Sequence, residues 1–172
     1  MTEQLTRPWR HLRCSCDLDN VARLHERLRE ALQAVATAYW DATGEELVVT
    51  SAWRSLRHCA ALMAGFSREQ LEGMYCRNGY PDYIRELVAT RERQGGALSE
   101  EDAYRILCQR QEGYISRHLT GGAVDIARPG RDLPLLLALL AQHGFQTLDE
   151  EVFGLSCIHA SHHDVPTAIV RE

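Results

Sequence analysis

A chain of 172 residues is most simply one domain, long enough to bury roughly two thirds of the surface its unfolded form exposes, so neither a metal nor a disulfide is needed merely to fold it. Its 45% hydrophobic and 25% charged content is that of a soluble globular protein, and a formal charge of −5, from 24 acidic against 19 basic side chains, argues against a nucleic-acid surface, which carries a basic stripe. Met1 to Pro8 holds no apolar run of signal-peptide length and Leu133 to Ala141 is too short to span a bilayer, so the expectation is synthesis in the cytoplasm with no export address and no transmembrane segment.

The six cysteines, at 14, 16, 59, 76, 108 and 157, lack the dense spacing of a disulfide scaffold and read as free thiols. Cys14-Ser15-Cys16 near His11 offers zinc donors, but no second pair follows at finger spacing, which favours ordinary reduced cysteines.

In chain order, Asp17 or Asp19 caps a predicted helix with apolar residues at Leu18, Val21, Leu24, Leu28, Leu32, Val35 and Tyr39, spaced by three or four as one buried stripe requires. Thr43-Gly44 ends it, and Glu46 to Trp53 follows as a β-branched strand with Arg54 at its end. The residues from 56 to 112 read as a helical insertion. Ser67-Arg68-Glu69-Gln70 has the form of a capping box, Pro81 suits a first helical turn, and Ser99 can cap the segment holding Tyr104, Ile106 and Leu107. Such an insertion serves either as a wall or lid beside a site or as a packing module; helical patterning does not separate the two.

Gly113-Tyr114-Ile115 and Ile126-Ala127 flank Ser116 to Asp125 with strand-like residues, so this stretch is predicted as strand, glycine turn at Gly121-Gly122, and returning strand. Folded so, His118 and Asp125 lie side by side, with Val124 and Ile126 facing a core and Ala123 and Asp125 the opposite face. Neutral imidazole and carboxylate are zinc ligands, and a catalytic zinc needs three such ligands and an open position. Beyond the hairpin, Asp132 and Pro134 start a leucine-rich helix that should be deeply packed, Gly144 stops it, and 145–148, 154–160 and 166–170 read as strands.

The pattern S-x-H-x-x-G-x-A-x-D, complete from Ser116 to Asp125, resembles the signature of the zinc D-Ala-D-Ala peptidases, whose fold is shared with the hedgehog signalling domain. The resemblance covers about residues 17 to 56 and 113 to 164. It implies an α+β fold, a mainly antiparallel sheet flanked by helices, here a single domain over 1–172 carrying the insertion. It implies zinc held by His118, Asp125 and a later-strand histidine; any of His159, His162 and His163 can serve, and Cys157-Ile158-His159-Ala160, which is similar to the family's ligand strand, favours His159. Arg54, a fixed cation with a rigid fork of donors, suits an oxyanion or a substrate carboxylate, and Ser116 suits a hydrogen bond to substrate or support of a ligand. The family's proton-carrying acid stands shortly before the last ligand; here that position is Ser156, and the upstream acids Asp149, Glu150 and Glu151 leave Glu151 as the expected base. The implied function is hydrolysis of peptidoglycan stem or cross-link peptides, by a carboxypeptidase or an endolysin-like endopeptidase that reaches the wall through lysis, a holin or a secretion machine. Two rivals stand beside it: a non-catalytic metal-binding module of the same fold, which the altered base position favours, and a thiol hydrolase built on Cys157.

Overall fold

Runs of β-branched and aliphatic residues alternate with capped helical segments, and the computed structural model, which describes residues 6–111 and 115–167, realises them as six strands and seven α-helices. In chain order these are β1 (Thr6–Trp9), β2 (Leu12–Cys14), α1 (Leu18–Ala22), α2 (Glu26–Thr43), β3 (Leu47–Ser51), α3 (Leu56–Gly65), α4 (Arg68–Tyr75), α5 (Asp82–Arg93), α6 (Glu100–Gln109), β4 (Ala123–Ala127), α7 (Leu133–Gln142), β5 (Phe145–Asp149) and β6 (Cys157–His162). Short 3-10 turns, Arg117–Thr120 and Glu150–Phe153, precede β4 and β6. The chain divides into two compact units, residues 1–53 with 116–167 and residues 54–115 with 168–172.

The first unit is α+β. Its sheet runs β1-β2-β3-β4-β6-β5, with β2 and β3 parallel and every other pair antiparallel. The last strand in sequence therefore sits between β4 and β5. Alternation along the strands sends Val49, Val124, Ile126, Ile158 and Ala160 into one core with Leu28, Leu32, Val35 and Tyr39 of α2 and Leu136 and Leu140 of α7. Each aliphatic side chain so buried contributes about 1.5–3 kcal/mol of transfer free energy. In α7 only Leu136 and Leu140 are fully buried, while Pro134, Ala138 and Ala141 face solvent, so this helix lies on the core rather than inside it.

The predicted first helix is broken. Asp17 caps α1 through Asp19 N–H (2.9 Å), and α2 starts only at Glu26, behind His25. The apolar stripe continues across the break through Val21, Leu24 and Leu28, but the His25 amide donates to the Gly121 carbonyl (3.0 Å) instead of an intrahelical acceptor. A partner distant in sequence thus stops a pattern that is locally helical.

The second unit is helical. Ser67 and Gln70 form the capping box at α4, Ser99 accepts from Asp102 N–H at the start of α6, and Pro81 precedes α5. Leu56, Met63, Ile84, Leu87 and Leu107 are fully buried within it. Arg91 of α5 donates to the Phe66, Ala64 and Met63 carbonyls and so satisfies the open C-terminal end of α3 with a cation. Gly113 and Tyr114 lie outside the described residues, as does the 168–170 part of the predicted final strand; Pro166 and Thr167 are not in regular structure.

Candidate metal centre

The segment predicted as a strand leading into a glycine turn is a 3-10 turn instead. Ser116 caps it, its Oγ accepting from the His118 N–H (3.3 Å), and Gly121 closes it at φ +70°. That hydrogen bond turns Ser116 towards the backbone that carries His118, in keeping with the ligand-supporting role the sequence offered for it, and leaves its O–H proton to donate elsewhere. The turn is held on two sides. Trp53 Nε1–H donates to the Leu119 carbonyl (3.1 Å), and Arg117 donates to the carbonyls of His162 (3.1 Å) and Val165 (2.8 Å). The Gly122 carbonyl accepts from the His162 N–H (2.9 Å).

Gly121 meets two demands at once, a left-handed backbone and close approach to another chain segment, since an added Cβ would lie 2.5 Å from the Arg23 carbonyl oxygen. Gly121→Ala is expected to cost at least ~1–3 kcal/mol from backbone strain alone. Because the same turn carries His118, calorimetry should show a lower melting temperature together with weaker metal binding. An unchanged melting curve would contradict this account of the turn.

The turn delivers His118 beside β4, and β4 pairs with β6 so that Asp125 stands opposite His159. Both lie on the sheet face away from α2 and α7. His118 Nε2 and His159 Nδ1 approach Asp125 Oδ1 at 3.2 and 2.9 Å, and the two nitrogens are 3.2 Å apart. Ligands placed ~2.0–2.1 Å from a tetrahedral zinc lie about 3.3 Å from one another, so the three donors already have the separations an ion demands. His118 Nδ1 donates to the Ala52 carbonyl (2.5 Å), which leaves Nε2 with its lone pair towards the other donors, the usual arrangement behind a metal-binding imidazole. His118 and Asp125 are 1% and 4% exposed, while the His159 side chain is 20% exposed, so the cluster is closed on one side and open on the other. The cluster fits a metal ion in chemistry and in spacing.

Of the three histidines near the C-terminus, His159 is the one brought to the cluster. His162 packs its ring edge against Phe145, and His163 Nδ1 bonds the Gly144 carbonyl (2.6 Å). Burial depresses the basicity of His162, and the neighbouring His163 adds to this.

Glu151, the expected base, lies away from the cluster. Its side chain is 62% exposed and pairs with Arg128 (3.1 Å), which also holds Asp149. The acid turned inward is Glu150: its carboxylate accepts from the Cys157 thiol (3.2 Å), and single donor atoms of Asp125, Glu150 and Cys157 all lie within 4.8 Å of one another. Sequence reasoning placed an acid in this run but not its rotation, which depends on the 3-10 phase of residues 150–153. Arg54 opens the second unit, half-buried; His58 one turn on has its pKa lowered first by desolvation and then by the Arg54 charge.

Cys16 was also missed as a neighbour of this region. Interaction with the neighbouring Cys14 thiol lowers the Cys16 pKa, against burial and the charges of Asp17 and Asp125, while the same interaction and burial push Cys14 up. A thiolate is the reactive form and Cys16 is the more exposed of the two, so Cys16 should be alkylated ahead of Cys14. Cys14→Ala is expected to slow modification of Cys16 several-fold, read by peptide mass spectrometry; an unchanged rate would rule out the thiol pair as the cause.

Among the described residues no helix is long and apolar enough to cross a membrane. Searches of protein-family models, of curated proteins and of solved structures return no match to this chain.

Proposed function

We propose that this chain is a zinc-dependent peptidase of the hedgehog/DD-peptidase fold, hydrolysing peptidoglycan stem or cross-link peptides. The observation that carries the reading is the juxtaposition of a two-histidine, one-aspartate donor set, open on the His159 side, with a separate inward-facing carboxylate on Glu150. Three protein ligands with an open fourth position characterise catalytic rather than structural zinc. Bound there, zinc supplies Lewis acidity, polarising a peptide carbonyl and lowering the pKa of water towards ~7.

His118, Asp125 and His159 hold the ion, and Ala52 and Ser116 hold His118 in orientation. Glu150 takes the proton from the attacking water as the water oxygen bonds to the carbonyl carbon, then returns it to the departing amine nitrogen as the C–N bond breaks. The S-x-H-x-x-G-x-A-x-D resemblance supports the choice of wall peptides as substrate.

Purified chain loaded with zinc and incubated with peptidoglycan stem peptides should release amino acids or shorter peptides, detected by mass spectrometry. Chelation should stop the release and added zinc restore it. A chain that binds zinc but releases nothing from any wall fragment would instead be the non-catalytic module.

A further inference from the structure

Cys157 and His159 are two residues apart on β6 and project to the same face as Asp125. Beyond β5 the turn at 150–153 folds the Glu150 carboxylate back over that face, where the thiol donates to Oε2 at 3.2 Å. Asp125, Glu150 and Cys157 therefore form a second donor triad, all within 4.8 Å, sharing Asp125 with the first. A carboxylate has two oxygens and about four lone-pair sites, so Asp125 can face both imidazoles through Oδ1 and still serve another ion.

We infer that Asp125, Glu150 and Cys157 hold a second divalent ion of borderline or soft character, bridged through Asp125 to the first and filled only after it. The order follows from the spacing: the donors of the first triad stand 2.9–3.2 Å apart, already set for an ion, whereas those of the second lie within 4.8 Å of one another and must draw together around one. Thiolate among the ligands selects zinc, cobalt or cadmium over magnesium or calcium. On the reading of Glu150 as the base, the second ion occupies the carboxylate that must accept the proton, so excess zinc inhibits the hydrolysis that the first equivalent supports.

Titration of the metal-free full chain with cobalt(II) tests this. Two equivalents are expected, the second bringing a near-ultraviolet thiolate-to-cobalt charge-transfer band. Cys157→Ser should remove the band and the second equivalent while keeping the first, which also shows that the variant is folded. Cys16→Ser should keep both, and Glu150→Gln should weaken the second by at least ~10-fold, the lower end of what losing even a group that supports a ligand costs. One equivalent in the unmodified chain, or a band that survives Cys157→Ser, would overturn the inference. Failure of the peptidase reading looks different: two equivalents bind as described, and no peptide is released at either stoichiometry.

Discussion

Glu150→Gln is expected to slow peptide hydrolysis by ~100- to 10,000-fold, the range over which positioned acid-base groups act, and to leave the first metal equivalent in place. Glu151→Gln should change neither. The contrast between adjacent acids rests on side-chain direction alone: Glu150 meets the Cys157 thiol, while Glu151 is solvated and paired with Arg128. Gln keeps the shape and a hydrogen-bond acceptor for Cys157 but cannot take up a proton. Steady-state rates on a stem peptide, with zinc content measured on the same samples, separate the two variants; a Glu150→Gln protein with full activity would remove this residue from the mechanism.

Asp125→Ala is expected to abolish binding of the first ion and with it the effect of zinc on stability. In the native chain, zinc at a thousandfold excess over its dissociation constant should stabilise the folded state by about 4 kcal/mol, provided it does not bind the unfolded chain. At ~2–4 °C per kcal/mol for a chain of this size, the melting temperature should rise by about 10 °C, and chelator should reverse it. Asp125 has this leverage because it is 4% exposed and is the one donor that both histidines approach. Scanning calorimetry with and without zinc decides the matter, and a native chain whose melting temperature ignores zinc would refute the centre itself.

The three residues of the candidate cluster were legible in the sequence because each stands at a spacing that strand pairing converts into contact: the Gly121 turn returns Asp125 to His118, and antiparallel pairing sets His159 opposite Asp125. What escaped was governed by partners far along the chain. The break before α2 is set by the Gly121 carbonyl, invisible in a stripe that keeps its period through Leu24. Strands β1 and β2 are short and rich in arginine and gain their pairing only from neighbours, β2 from β3 across the sheet. The strand-like composition around Ile115 concealed a 3-10 turn because Ser116 and Gly121, the two residues that specify it, also suit a hairpin. The choice between Glu150 and Glu151 turned on helical phase within four residues, which periodicity reasoning does not resolve.

The position of β6 between β4 and β5 has a consequence for how the protein is made. Until residues 157–162 emerge from the ribosome, both neighbouring strands present open edges, and a nascent chain stalled there exposes two templates for intermolecular pairing. Since His159 arrives on that same strand, metal capture during synthesis cannot precede closure of the sheet, and prematurely terminated products should be recovered as metal-poor aggregates.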